Sequence, residues 1–222
     1  VRQIFDGLVQ FDAHLNPLPA LAEFWEASRD GRTWTFALRR GVTFHHGREV
    51  TADDFVYSFS RLLKATKPGP LTELLRRIQG AKDMMPGKTD KIQGLQAVDR
   101  YTLRMVLEEP FAPLLAALGL ANAAVVPREV VEQQGEHFAR APVGTGPFTF
   151  VRWEPGREIV LQANEQYYEG RPFLDTVVFT IGGTFEAKFA DFLRGNLEEA
   201  LIPSAKTGEV RTNPQYRKFQ RV

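Results

Sequence analysis

Apolar and polar positions alternate cleanly over residues 33–39, with Trp34, Phe36 and Leu38 on one face and Thr33, Thr35 and Arg39 on the other. That period of two predicts a half-buried strand. The pattern returns at 101–107 through Tyr101, Leu103, Met105 and Leu107, and residues 95–98 predict its partner across Asp99-Arg100. Strand character also marks 148–153 and 158–162, separated by Glu154-Pro155-Gly156-Arg157. In that turn proline presets φ and glycine accepts a positive value. The β-branched run 176–181 suits a buried strand, and 197–202 is a further candidate.

Helical spacing governs other segments. Residues 51–64 place Phe55, Phe59, Leu62 and Leu63 on one face. Thr51 suits the N-cap there, and Asp53 and Asp54 suit the positive end of the helix dipole. The Lys67-Pro68-Gly69-Pro70 break leads to a shorter helix at 71–78, followed by a polar loop at 84–91. Helices are also expected over 110–120, over 128–134 with Gly135 as its stop, and over 185–194 with Phe185, Phe189, Phe192 and Leu193 inward. Pro19 predicts the first turn of a helix reaching Trp25, with Ala20, Leu21, Phe24 and Trp25 as its apolar face. Residues 1–11 read as a helical turn running into a strand, with Ile4, Phe5, Leu8, Val9 and Phe11 inward around Asp6-Gly7. Strands and helices follow no regular β-α-β alternation, so the class is α/β or α+β with a mixed sheet.

Composition narrows function mainly by exclusion. The 222 residues carry 28 Lys+Arg against 27 Asp+Glu, which gives no electrostatic case for nucleic acid or an anionic membrane. The basic residues Arg217, Lys218 and Arg221 read as a solvated tail. With no cysteine, disulfides, thiolate metal sites and a cysteine nucleophile are all ruled out. No apolar run is long enough to span a bilayer as a helix. The start at Val1, without methionine or a signal-like segment, suggests a mature or trimmed product.

Candidate chemistry is sparse. Adjacent His45 and His46 on extended backbone point to opposite faces, which disfavours a shared metal. Asp53 and Asp54 read as helix-capping residues rather than an acid–base pair. Ser58 and Ser60 lie inside a helix, without the strand-to-helix elbow of a serine hydrolase. Trp25, Trp34 and Trp153 read as core residues before ligand-stacking ones. Gly144-Thr145-Gly146-Pro147 precedes a strand, whereas a phosphate cradle needs a helix N-terminus directly behind its glycines. Close backbone passage is the better account of those glycines.

Several motifs, in order along the chain, carry a family resemblance. Ile4-Phe5-Asp6-Gly7-Leu8, residues 19–25 (PALAEFW), residues 33–47 (TWTFALRRGVTFHHG), residues 51–58 (TADDFVYS), residues 144–148 (GTGPF) and residues 164–168 (NEQYY) together resemble the bacterial extracellular solute-binding proteins of family 5. These are the dipeptide, oligopeptide and nickel receptors of ABC importers. The resemblance implies a type II periplasmic-binding-protein-like fold, in which 1–140 form the peripheral domain and 141–222 part of the cleft-side mixed-sheet domain, with the second lobe absent. It implies an extracytoplasmic binder of a peptide or similar small solute, working with a membrane permease. That binder is expected to be monomeric, periplasmic or extracellular, without enzymatic activity, metal or cofactor, and in a lipid-anchored or free form. A ligand-sensing regulatory module with the same fold is the alternative. The resemblance assigns ligand contacts to Leu71, Asn122, Gly144, Thr145 and Gly146. Leu71 departs from the aromatic common at its position, and His46 stands where aspartate is usual.

Overall fold

Side chains that alternate along the sequence do so in space. A computed structural model describes residues 1–65, 69–84 and 91–219. It begins with β1 (Val9–Phe11) and β2 (Pro17–Pro19), paired antiparallel. A four-stranded antiparallel sheet follows, built from β3 (Ala22–Ala27), β4 (Thr33–Leu38), β5 (Leu95–Asp99) and β6 (Thr102–Val106) in the order β3-β4-β6-β5. Phe36 faces Leu103 across β4 and β6, so the predicted inward residues of two strands meet on one face.

Helix α1 (Ala52–Leu63) lies against β5 and β6. Its Phe55 and Phe59 join Phe36, Phe44, Leu103 and Met105 in one buried cluster. The helix begins as predicted, because Asp54 Oδ2 accepts from the Thr51 backbone N–H at 2.8 Å. Shorter helices are α2 (Pro70–Leu75), α3 (Leu114–Leu118) and α4 (Arg128–Gln134). Two of these are shorter than periodicity suggests. Pro113 occupies the N-cap of α3, which leaves residues 110–112 outside the helix, and α2 ends three residues before Ile78.

A three-stranded sheet, β7 (Phe148–Glu154), β8 (Glu158–Ala163) and β9 (Thr176–Thr180), has the order β7-β8-β9. Gly156 adopts φ 75° in the turn between the first two, as Pro155-Gly156 predicts. Helices α5 (Phe185–Leu193) and α6 (Thr207–Thr212) complete the elements, with short 3₁₀ turns between them.

Contacts divide the chain into two compact units, Val1–Trp153 with Val160–Val178, and Glu154–Ile159 with Phe179–Val222. The first unit holds nearly all the buried apolar side chains. In the second, Phe189 and Val210 are buried, and Phe189 lies 6.3 Å from the rings of both Phe192 and Tyr216.

Five expectations are corrected. Residues 22–27 form a strand, not a helix. Trp25 pairs with Phe36 across β3 and β4, and cross-strand pairing there outweighs the helical spacing of the apolar positions. Phe24 is consequently 57% exposed. The β-branched run of β9 is mostly exposed, not buried. Among the described residues no strand forms at 197–202, and α5 buries only Phe189 while Phe185 stays 60% exposed. Of the three tryptophans, Trp25 and Trp34 pack on the core and Trp153 is exposed. Parts of the expected breaks at 66–68 and 85–90, and the basic side chains at the C-terminal end, fall outside the described residues.

Candidate functional site

The tightest passage of backbone past backbone is where the residues before β7 cross the N-terminal segment. Gly146 N–H donates to the Ile4 carbonyl and Phe148 N–H to that of Gln3, each at 2.8 Å. A Cβ on Gly144 would stand 2.0 Å from the Ile4 oxygen, and one on Gly146 2.6 Å from the Ile4 carbonyl carbon. No side chain fits at either position, so both residues are glycine for space. Gly144, Thr145 and Gly146 are all buried.

His45 holds the crossing from the other side. Its backbone N–H donates to the Gly144 carbonyl at 2.8 Å. Its ring Nδ1 accepts from the Gly144 N–H at 3.3 Å, and Nε2 lies 3.0 Å from the Gly146 carbonyl. This set of partners requires the neutral ring with its proton on Nε2. Burial, aided by neighbouring His46, holds the pKa of His45 below the usual imidazole value. Asn164 adds a second donor to the Gly146 carbonyl, at 3.0 Å through Nδ2.

His46 turns away toward Glu129, 2.7 Å from Nε2. Arg48 joins that carboxylate at 2.7 and 3.0 Å and grips buried Asp54 at 2.6 and 3.0 Å. Burial works against ionisation of Glu129, but hydrogen bonds from Arg48, the backbone and His46 outweigh it and bring the pKa down to about 2. The two histidines thus serve separate sites, one bracing a loop and the other an ion-pair network. Among the described residues no group of three His, Asp or Glu side chains is arranged to hold a metal.

Between the glycines, Thr145 is only 1% exposed. Its hydroxyl donates to Asp6 Oδ2 at 3.1 Å and accepts from the Asp6 N–H at 3.2 Å. Burial raises the Asp6 carboxyl to about 6; the Thr145 hydrogen bond opposes the shift and nearby Glu169 adds to it. Glu169 accepts from Gln10 Nε2 at 3.1 Å and from the Tyr167 hydroxyl at 3.3 Å. The Tyr167 and Tyr168 rings lie 4.8 Å apart, and Arg39 stacks 5.6 Å from the Tyr168 ring. Burial raises the pKa of both phenols, so they remain neutral. Tyr167 donates to Glu169, while the buried Tyr168 hydroxyl has no hydrogen-bond partner among the described residues.

Asp6 opens onto a cavity of about 230 Å³, walled by Phe5, Gln10, Phe11, Pro147 and Tyr167, with Arg2 also on its lining. A second cavity of about 190 Å³ lies beside it. Phe5, Ala121 and Ala124 line both. Asn122 and Arg61 border the second cavity, over Leu62, Val126 and Phe138.

The expected ligand contacts therefore separate. Asn122 is exposed at a cavity. Gly144, Thr145 and Gly146 form a buried brace behind Asp6, and neither cavity includes them. Leu71 is 2% exposed within the main core and borders neither cavity. Leu71 lies on α2, which packs against α1 and α3. Sequence reasoning passed over Asp6. Its signal was a single acid inside the apolar run Ile4 to Val9, where an ionised carboxylate needs a dedicated partner.

Comparison with known proteins places these features in context. The family model described as bacterial extracellular solute-binding proteins, family 5 Middle, matches residues 16–221. A di/tripeptide-binding protein 2 of Pseudomonas aeruginosa is 32% identical over 210 residues, covering 89% of this chain and 39% of the relative. A heme-binding protein A of Haemophilus influenzae is 32% identical, covering 96% and 41%. The crystal structure of a periplasmic oligopeptide-binding protein from Borrelia burgdorferi superposes with a TM-score of 0.88 at 25% identity, covering 96% of this chain and 44% of that one. The chain thus spans about two fifths of the length of the relatives it matches.

Proposed function

Because this chain belongs to the bacterial extracellular solute-binding proteins of family 5, and has the type II periplasmic-binding-protein fold of its structural neighbours, we propose that it is part of the substrate-binding component of an ABC importer. It captures a peptide or similar small solute outside the cytoplasm, as a monomer, and presents it to a membrane permease. The family and its neighbours are binding proteins rather than enzymes. Di/tripeptide-binding and oligopeptide-binding relatives support peptides as the solute class. The heme-binding relative sets the main competing ligand.

The observation that carries the reading is the braced crossing beside a cavity. His45, Asn164 and the glycine pair brace the backbone behind Asp6, and that part-buried carboxylate faces the space it borders. Rigid walls with a few placed polar groups are what a small-solute site requires. In this reading 1–140 form the peripheral domain and 141–222 belong to the cleft-side domain. Asn122 and the cavity walls meet the solute, and Gly144–Gly146 support them from behind.

In this reading the opposing lobe is absent from this chain, which alone is expected to bind weakly or not at all. The test is therefore calorimetric titration of the two-lobed full-length protein with a panel of di- and tripeptides and with haem. Uptake of any binder is then followed in cells with and without the gene. Saturable peptide binding and gene-dependent uptake are expected. Binding of haem alone, or of nothing in the panel, would overturn the peptide reading.

A further inference from the structure

The cavity at Asp6 carries more than a supporting wall. Thr145 occupies Oδ2, and among the described residues no hydrogen bond reaches Oδ1. The charge acting on Asp6 is another carboxylate, Glu169, which Gln10 and Tyr167 hold in place. Glu169 is not on the lining itself, but the two residues that hold it are. The one basic residue on the lining, Arg2, is held against other lining residues, at 3.3 Å from the Gly119 carbonyl and 5.9 Å from the Phe11 ring centre, and among the described residues it forms no ion pair with Asp6.

A part-buried carboxylate with an open oxygen and a like-charged neighbour is stabilised by an arriving cation. The remaining walls suit the stem of such a group. Phe5, Phe11 and Tyr167 offer aromatic and apolar surface, along which an alkyl chain can lie while its charged end reaches the acid. At about 230 Å³ the space falls below the usual range for a complete small-molecule site, roughly 300–1,000 Å³, and is of a size for one side chain. The shortage of further ligating groups favours an organic cation over a metal ion.

We propose that Asp6 is a specificity-determining residue: its cavity receives the ammonium or guanidinium side chain of a basic solute. This rests on the solute-binding reading above and narrows it to cationic peptides. The raised carboxyl pKa near 6 agrees, since it marks an acid that no bonded cation holds ionised.

The probes are three tripeptides, Ala-Lys-Ala, Ala-norleucine-Ala and Ala-Glu-Ala, titrated calorimetrically into the full-length wild type and its Asp6→Asn variant. At pH 7.5 the wild type is expected to prefer the lysyl peptide over its norleucyl counterpart by about tenfold or more, the scale of one charge-assisted hydrogen bond. The glutamyl peptide is expected to bind most weakly. Asp6→Asn, which preserves shape, should bring the lysyl and norleucyl affinities together. The wild-type preference should also shrink from pH 7.5 to pH 5 as Asp6 takes up a proton, a readout that needs no variant. Peptide binding with no lysyl preference, or with a preference that survives in Asp6→Asn, would overturn this inference and leave the importer reading standing. Failure of all three peptides to bind would overturn both.

Discussion

The imidazole of His45 and the carbonyl of Gly146 meet at 3.0 Å across 101 residues of sequence. With the Gly144 N–H on the other ring nitrogen, a single neutral side chain staples both glycines of the crossing. A second proton on the ring would place two donors face to face at Gly144.

That arrangement sets a pH response. The folded pKa of His45 is depressed, so its contribution is complete above the unfolded value near 6.5. It is lost as pH falls from there toward the folded pKa, because the unfolded chain binds the extra proton first. Urea unfolding from pH 8 to pH 5 should therefore show a steeper loss for wild type than for His45→Gln. At pH 8, His45→Ala should cost about 1–3 kcal/mol, chiefly through the orphaned Gly144 N–H.

Asp6 should respond with the opposite sign. Its carboxyl titrates near 6 in the folded protein against an ordinary value of 3.8. The folded state thus holds the proton more tightly, and this group's contribution falls as pH rises from about 4 to about 6. Asp6→Asn is expected to be stabilising at pH 7.5, by at most about 3 kcal/mol for a shift of roughly two units, and near neutral at pH 4. Thr145→Val should destabilise by about 1–3 kcal/mol at pH 7.5 by stripping both Asp6 atoms of their partner. Thermal melts across pH measure both.

Gly144 is a test of space alone, since its backbone is not in the left-handed region. The Ile4 oxygen cannot retreat from a new Cβ without breaking its bond to the Gly146 N–H. Gly144→Ala should cost about 3 kcal/mol or more, or prevent folding. Gly41 provides the contrast, with φ at +74° and nothing within 4 Å of where a methyl group would stand. There alanine should cost only about 1–2 kcal/mol, from left-handed strain. Chemical denaturation of the two variants side by side separates crowding from strain.

Arg48 ties the loop carrying His45 to α1 and α4 through Asp54 and Glu129. Removing the guanidinium leaves the buried Asp54 carboxylate with only its cap contacts at Thr51. Arg48→Met should therefore destabilise by about 2–4 kcal/mol, somewhat below a fully buried pair because Arg48 is partly exposed. Combining it with Asp54→Asn should cost less than the sum of the single changes, with a coupling on the order of 1–3 kcal/mol. Urea denaturation of the two single variants and the double variant measures that coupling.

Strands β4 to β8 and helix α1 were legible because each writes its burial in its own period. Phe36 and Leu103 alternate into the core, and Phe55 and Phe59 sit one turn apart. The misreadings arose where neighbours decide. Residues 22–27 have helical spacing, yet β4 offers them an edge to pair with. Phe185 and Leu193 look like an inward helix face, yet they stay 60% and 45% exposed while Phe189 alone on that face is buried. At the site, the motif around Gly144 announced a close crossing but not its partner. Nothing local in the sequence joins Asp6 to Thr145, or His45 to Gly146, because those pairs are separated by 139 and 101 residues.

The same long separation orders events in time. Ile4 and Gln3 have no backbone partner in the crossing until Gly146 and Phe148 reach them. The N-terminal side of the crossing stays open until Gly146 and Phe148, more than 140 residues later in the sequence, are in place. Closing a loop of that span costs about 4 kcal/mol of chain entropy by the logarithmic rule. The sheet around β4 and β6 has far shorter connections and can form meanwhile. Docking of Gly146 and Phe148 then completes a brace whose other contacts, the Val125 N–H on the Asp6 carbonyl among them, can form earlier.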